Sequence, residues 1–359
     1  MKVLILESEL HHCRSRVFDI NKHFPDADID YSGNFCLKKN ISFFLQYDLI
    51  VSTVYTSPTS NYIVSKCRQL GIKTLLLSDG IIEWENLYNN QFLLQKRMKL
   101  YSPVYHEYFA VMGKLEGIYF ETINTIKCVS FTPSRVGVDK FKDKEVMNTR
   151  FDFLLTSANR IYLNEKEKIE SFEIYINIFK TLCDMDVSFK IRIFDEDLIN
   201  EFRQIKADIL NDIDSTFEDC ISNVSGVLTG PSSIVFPAMY RNIAVAQILY
   251  RNSPVFTQTG WYVNSINSLR DTLESMLEPD RERLAFQHSV LVDHIESKSL
   301  TEQLNFDENK IPIYNEKDFF SSKYVFNLEP YFRYVDDFLK LYSPKAFVKW
   351  WKKVISKYR

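Results

Sequence analysis

Leu75-Leu76-Leu77-Ser78-Asp79-Gly80-Ile81-Ile82-Glu83-Trp84-Glu85-Asn86 is the stretch that decides how this chain is read. A helix-like segment closed by Gly71 precedes an apolar run, which carries a carboxylate and a glycine to the point where a strand should end. In an open parallel α/β sheet, ligands bind in the crevice beyond the carboxyl ends of the strands. A second strand and turn, Gly226-Val227-Leu228-Thr229-Gly230-Pro231-Ser232-Ser233, ends in hydroxyls instead. A base in one half and an anion cradle in the other point to group transfer between two bound substrates.

The same grammar recurs outward from these two turns. Buried-strand runs are expected at 3–6, 48–53, 72–77, 108–113 and 126–130, with a helix over 59–70. The pattern restarts at 151–159 and continues with an amphipathic helix over 165–183. Strands follow at 188–194, 224–229 and 244–250, with a helix over 234–240 between the last two. Strands alternating with helices imply βαβ units, so the fold class is α/β with two successive Rossmann-like halves. The chain has 359 residues, the size of two ordinary domains. The expected division is 1–138, 139–325 and a helical segment over 326–359, with the charge-rich 139–145 as the linker.

Composition excludes several classes. With 45% hydrophobic and 25% charged residues, the chain is a folded, water-facing protein. The net charge is −3, and the six basic and no acidic residues of 345–359 leave −9 for the rest, so a nucleic-acid surface is not expected. The six cysteines are widely spaced without a CxxC pair, which indicates neither zinc nor a disulfide framework. No window approaches the roughly 20 apolar residues of a membrane span, and the start turns acidic too soon for a signal peptide. A cytoplasmic location is expected. The amphipathic tail carries Phe347, Trp350, Trp351, Val354 and Tyr358 among its lysines. That pattern suits either an inner-membrane surface or a helix packed on the body.

Asp79 can act as a general base on a hydroxyl, or cap the following helix. Glu83 can share the opening with Asp79 as a second catalytic or acceptor-holding carboxylate, or lie on an exposed acidic turn. Gly80, which permits a tight turn, and His11, which follows the first strand, border the expected acceptor side. In the second half, Gly230, Ser232 and Ser233 open a helix and form an anion site, unless Ser232 is an ordinary N-cap. Thr156, Ser157 and Asn159 end the first strand of that half, where they either bond the donor or make a turn. Lys190, Arg192, Arg160 and Arg241 are the nearby cations that could neutralise a phosphate. Absent GxGxxG, P-loop, GxSxG and HExxH patterns disfavour a dehydrogenase, an ATPase, a common serine hydrolase and a zinc protease.

Taken together, these residues resemble the bacterial GT-B glycosyltransferases that build surface polysaccharides such as capsule and lipopolysaccharide, above all CMP-sugar-dependent sialyl- and Kdo transferases. Asp79-Gly80 matches the acidic-acidic-Gly motif that supplies the base in such sialyltransferases, with Ser78 in place of the leading acid. Ser232-Ser233 matches their phosphate-binding serine pair. The His-Pro motif that contacts the nucleotide is missing, and Phe194-Asp195-Glu196-Asp197 stands in its place. The resemblance implies two domains facing a central cleft, an acceptor-binding first half and a nucleotide-sugar-binding second half. It also implies no cofactor and no metal. Its partners would be a CMP-sugar donor and a glycan or lipid-linked acceptor. The alternatives are a UDP- or GDP-sugar or glycerol-phosphate transferase, an epimerase of the same fold, or a non-catalytic subunit of an assembly complex.

Overall fold

The computed structural model describes residues 1–95, 97–136, 151–157, 162–296, 298–306 and 329–343. Its strands are β1 (Lys2–Ile5), β2 (Asp28–Asp30), β3 (Leu49–Ser52), β4 (Lys73–Leu77), β5 (Tyr108–Val111), β6 (Lys127–Ser130), β7 (Phe151–Thr156), β8 (Phe189–Arg192), β9 (Val224–Thr229), β10 (Ala244–Ile248) and β11 (Trp261–Val263). The first six make one sheet in the order β2-β1-β3-β4-β5-β6, and the last five make another in the order β11-β10-β9-β7-β8. Every pairing is parallel.

The apolar runs become strands because helices cover both faces of a parallel sheet. β3 and β4 bury all their residues, and the helix Pro58–Gln69 crosses between them. Ser57 caps that helix by accepting from the Ser60 N–H at 3.2 Å, and Gly71 (φ +78°) ends it. Each fully buried aliphatic or phenyl side chain contributes about 1.5–3 kcal/mol. In the second lobe, Phe179 and Phe202 stack with ring centres 4.1 Å apart.

Two strands depart from the expectation. β2 has a single apolar residue and is an edge strand, held on β1 by the ladder and by Lys2, whose ammonium lies 3.4 Å from Asp30. β11 is three residues long, and its Trp261 is buried in the second lobe's core.

Each sheet has a point where the chain leaves in opposite directions, β1/β3 in the first and β7/β9 in the second. One side chain spans each point. Glu7, just past β1, accepts from the backbone N–H groups of Thr53 at 3.2 Å and Val54 at 3.1 Å. Tyr175 accepts from the Gly230 N–H and donates to the Thr156 carbonyl, both at 3.0 Å.

The chain returns to the first lobe earlier than expected. Leu300 and Leu304 lie in its core beside Val17 and Phe24, and Thr301 donates to the His23 carbonyl at 2.8 Å. The segment 298–306, which the sequence reading assigned to the second domain, therefore packs on the first. The helix Glu329–Tyr342 also docks on the first lobe, against the helix Glu9–Ser15. The expected linker 139–145 and the tail 344–359 lie outside the described residues.

The lobes meet at Gly113 (φ +85°), where a side-chain carbon would sit 2.6 Å from Glu116 Oε2 and 2.7 Å from His294 Nε2. Glu116 opens the helix Lys114–Ile123 and His294 closes the helix Arg281–His294. His294 Nδ1 lies 2.8 Å from the Val290 carbonyl, which makes it the protonated nitrogen and leaves Nε2 as an acceptor 3.8 Å from Glu116. Thr257 faces the same Nε2 at 3.4 Å, and Lys114 pairs with Asp293 beside them. Burial pushes the Glu116 carboxyl from its ordinary 4.5 up to about 8 and pulls the His294 imidazole down, so both are neutral near pH 7.

A raised folded-state value means that the Glu116 contribution is complete below pH 4.5 and is lost as pH rises through about 8. His294, shifted the other way, contributes no loss above its ordinary value. The melting temperature is expected to fall between pH 7 and 8.5. Glu116→Gln should flatten that decline in thermal melts across the range, and an unchanged slope would exclude the carboxyl as its source.

Candidate active site

The carboxyl ends of β4, β9 and β10 open on one crevice of about 410 Å³, part of it open to solvent. Ile81, Ile82 and Glu83 line it from the first lobe. Pro231 and residues from Gln247 to Thr257 line it from the second. The lining thus takes in the residues just after Asp79-Gly80 and Pro231 just before Ser232, while Asp79, Ser232 and Ser233 themselves are not part of it.

Asp79 is exposed, directly after buried Ser78 and two residues before the lining Ile81. The Ser78 hydroxyl has no hydrogen-bond partner among the described residues. Gly80 is buried with φ +142°, a conformation that side chains rarely adopt, so the chain can turn there into the crevice. Glu83 does enter the crevice, but both of its oxygens are committed. Oε2 accepts from Arg251 at 2.9 Å, and Oε1 accepts from Asn86 at 3.1 Å. Burial pushes the Glu83 carboxyl up against the pull of Arg251. Glu83 is a holder of Arg251 rather than an open base.

Arg251 follows β10 and joins the lobes. Its side chain is 6% exposed and forks onto Glu167 at 2.9 and 3.3 Å while also donating to Glu83 and, at 2.8 Å, to Asn86. Glu167 belongs to the capping box of the helix Glu165–Asp184, where Asn164 and Glu167 bond each other's backbone N–H. The arginine is thus held by a second-lobe helix start and a first-lobe helix start together. Opposite charge keeps Arg251 protonated in spite of its burial. Beside it, Tyr250 stands with its phenol raised well above its ordinary value by burial and by Glu83. Gln247 is fully buried and donates to the Thr257 carbonyl at 3.1 Å. Its Oε1 has no partner among the described residues. Arg251, Glu167, Tyr250 and Gln247 escaped the sequence reading, although Arg251 obeys the rule that singled out Asp79, a charged residue just past a strand end.

The second-lobe hydroxyls divide. Ser232 and Ser233 are half-buried beside Pro231, and neither hydroxyl bonds the described residues. They do not cap a helix: the helix Val235–Tyr240 has Ile234 at its N-cap and is too short to bring a strong dipole to bear. Thr156 is 1% exposed and donates to the Arg192 carbonyl at 3.0 Å, so its hydroxyl is turned away from a ligand. The Gly230 N–H is taken by Tyr175. Ser157 is half-buried at the end of β7, and Asn159 and Arg160 lie outside the described residues.

The other cations serve elsewhere. Lys190 pairs with Asp212 at 3.6 Å, Arg192 donates to the Ser215 carbonyl at 3.4 Å, and none of Lys190, Arg192 and Arg241 lines the crevice. Asp195 caps a helix by accepting from the Leu198 N–H at 3.1 Å, which accounts for the acidic run where a His-Pro pair was sought. His11 approaches Thr53 Oγ1 at 3.3 Å on one side and Asp337 at 3.3 Å on the other, and so links the end of β3 to the helix Glu329–Tyr342.

No protein-family model and no curated protein matches this sequence. Among solved structures, the chain is similar to an S. aureus MnaA–UDP co-structure, at 10% identity over 83% of this chain and 92% of that one, with a TM-score of 0.52. It is also similar to the UDP-GlcNAc 2-epimerase from Neisseria meningitidis bound to UDP-GlcNAc, at 10% identity over 84% and 96%, with a TM-score of 0.51. The wall teichoic acid polymerase TagF superposes at a TM-score of 0.47, with 11% identity over 84% and 86%. At such identities the likeness concerns the fold: two Rossmann-like lobes about a crevice, the GT-B plan. Among the described residues, no helix is long and apolar enough to cross a membrane.

Arg251→Ala leaves the Glu83 and Glu167 carboxylates facing each other without a counter-ion, and removing one partner of a buried pair costs about 3–5 kcal/mol. A fall of that size is expected in chemical denaturation. Arg251→Lys should recover only part of it, since one ammonium cannot replace a fork serving three acceptors. Full stability in Arg251→Ala would show that the bridge does not hold the lobes.

Proposed function

We propose that the chain is a glycosyltransferase that binds a nucleotide sugar in the interlobe crevice and transfers the sugar to a hydroxyl acceptor. The observation that supports this reading is a crevice between two Rossmann-like lobes, lined by Ile81, Ile82 and Glu83 just after Asp79-Gly80 and by Pro231 just before Ser232-Ser233. Asp79, exposed two residues before the lining Ile81, takes the proton of the acceptor hydroxyl. The new bond from that oxygen to the anomeric carbon forms as the bond to the donor phosphate breaks, and the nucleotide leaves with the electron pair. The two serine hydroxyls, uncommitted within the described protein, donate to the departing phosphate. Gln247 Oε1 is placed to accept from a base or sugar N–H or O–H, since an unsatisfied buried oxygen is costly.

For the nucleotide we favour UDP. The CMP reading rests on a motif resemblance whose His-Pro element is replaced by a capped helix start at Asp195. The neighbours of like fold hold UDP or UDP-GlcNAc. Because those neighbours include a UDP-GlcNAc 2-epimerase, a second reading is epimerisation of the nucleotide sugar without an acceptor. A bacterial surface glycan remains the acceptor implied by the resemblance.

A ligand at 100-fold excess over its Kd stabilises the folded form by about 2.7 kcal/mol. UDP should therefore raise the melting temperature by several degrees, and CMP and GDP by less. A larger rise with CMP would restore the CMP-sugar assignment. Asp79→Asn should lower kcat/KM by about 100-fold or more while leaving the UDP shift intact. Unchanged transfer would remove Asp79 from the mechanism, and conversion of UDP-GlcNAc to its epimer with no acceptor present would favour the second reading.

A further inference from the structure

The helix Glu329–Tyr342 docks the wrong way round for an ordinary surface helix. Such helices turn an apolar stripe to the core and their charges to water. Here Asp337 faces inward and is 4% exposed. It is clamped by Arg14 at 2.7 Å and His11 at 3.3 Å. Burial raises the Asp337 carboxyl, but its contacts with His11 and the Arg14 guanidinium outweigh that and hold it below its usual range. On the same side, Asp336 and Lys340 pair with each other and are mostly covered, at 22% and 27% exposure.

The outward face carries Tyr331, Tyr334, Val335, Phe338, Leu341 and Tyr342, which are 37–66% exposed. At 3.6 residues per turn these six fall within an arc of about 120°. Tyr331 meets Phe35 edge-on at 4.8 Å, and Phe35 is itself 37% exposed, so the patch continues onto the body of the first lobe. Phe338 and Tyr342 lie ring to ring at 5.0 Å, which makes the face a continuous aromatic surface.

What covers this face can be read from its chemistry and from the chain that follows. Tyrosines dominate it, and their rings combine an apolar body with a polar tip, the composition favoured where hydrocarbon meets headgroups. The sequence directly beyond, 344–359, holds six basic residues, two tryptophans and no acid. Four to eight Lys/Arg beside an amphipathic helix complement an anionic lipid surface. A second copy of the chain is a poor occupant. A two-fold contact through this face would bring together two segments that each carry six positive charges.

We infer that the outward aromatic face of the helix Glu329–Tyr342, with the basic segment after it, seats the first lobe on an anionic lipid bilayer, while the Asp337 clamp fixes the helix in that orientation. This inference stands apart from the reaction proposed above, because none of these residues lines the crevice.

The test is flotation of the full chain with extruded vesicles of equal parts phosphatidylglycerol and phosphatidylcholine, and with phosphatidylcholine alone. The chain should float with the anionic vesicles and stay behind with the neutral ones. Phe338→Glu with Tyr342→Glu should lower the bound fraction roughly tenfold or more by placing charge in the apolar face. Lys349→Gln with Lys352→Gln and Lys353→Gln should do the same while keeping the aromatic face, and added salt should mimic it. The lysine variant and the salt series decide the matter if the glutamate variant fails to fold, as judged by its melt. The inference is overturned if the wild-type chain does not float. Equal flotation of the variants would also overturn it. So would a lipid-free dimer that the glutamate variant dissolves without any change in flotation, since the face would then be a self-association surface.

Discussion

The arrangement of the molecule depends on one buried arginine. Arg251 leaves water to sit between Glu83 of the first lobe and Glu167 of the second, with Asn86 filling a further donor. Desolvating three charged groups is expensive, and the geometry offsets it only because nearly every N–H finds an oxygen at hydrogen-bond distance. The fork on Glu167 is set by the capping box of a long helix, and the bond to Glu83 by the start of a short one. Moving either lobe by an ångström would strand a charge. The crevice width is therefore a property of this bridge.

The polar groups around the crevice fall into those already spent on holding the frame and those left for a ligand. Glu7 and Tyr175 span the two points where each sheet's strand order reverses, positions that in open sheets host ligands. Here they rigidify the walls instead, and they consume the Thr156 carbonyl and the Gly230 N–H. The groups that remain are the two serines and the unsatisfied oxygen of Gln247. These come from two strand ends of the second lobe, so a ligand would complete the network left open there.

Two further contacts tie the lobes to the rest of the chain, and they use opposite electrostatic solutions. At Gly113 the interface is kept neutral, with a protonated carboxyl against an uncharged imidazole, which avoids burying a pair whose 3.8 Å separation is too long for a strong hydrogen bond. At Asp337 the pair is charged, short and partly open to water, so it can direct a helix whose apolar face turns outward.

The parallel strands were legible because β3 and β4 carry the apolar runs Leu49-Ile50-Val51 and Leu75-Leu76-Leu77, whose burial on both faces requires no tertiary knowledge. The Asp79-Gly80 turn was legible for the same reason, since a carboxylate and a glycine after such a run mark the strand's end. β2 was not, because Asp28-Ile29-Asp30 has no hydrophobic period and exists only through its ladder to β1. Thr156, Gly230 and Glu83 had the right residue types at the right strand ends, yet their hydrogen bonds go to partners 36, 55 and 168 residues away. Local composition thus determined the class of fold and where its turns point. Which side chains stay open to a ligand was decided only by long-range pairing, because a polar group's availability depends on what the folded chain brings within 3 Å of it.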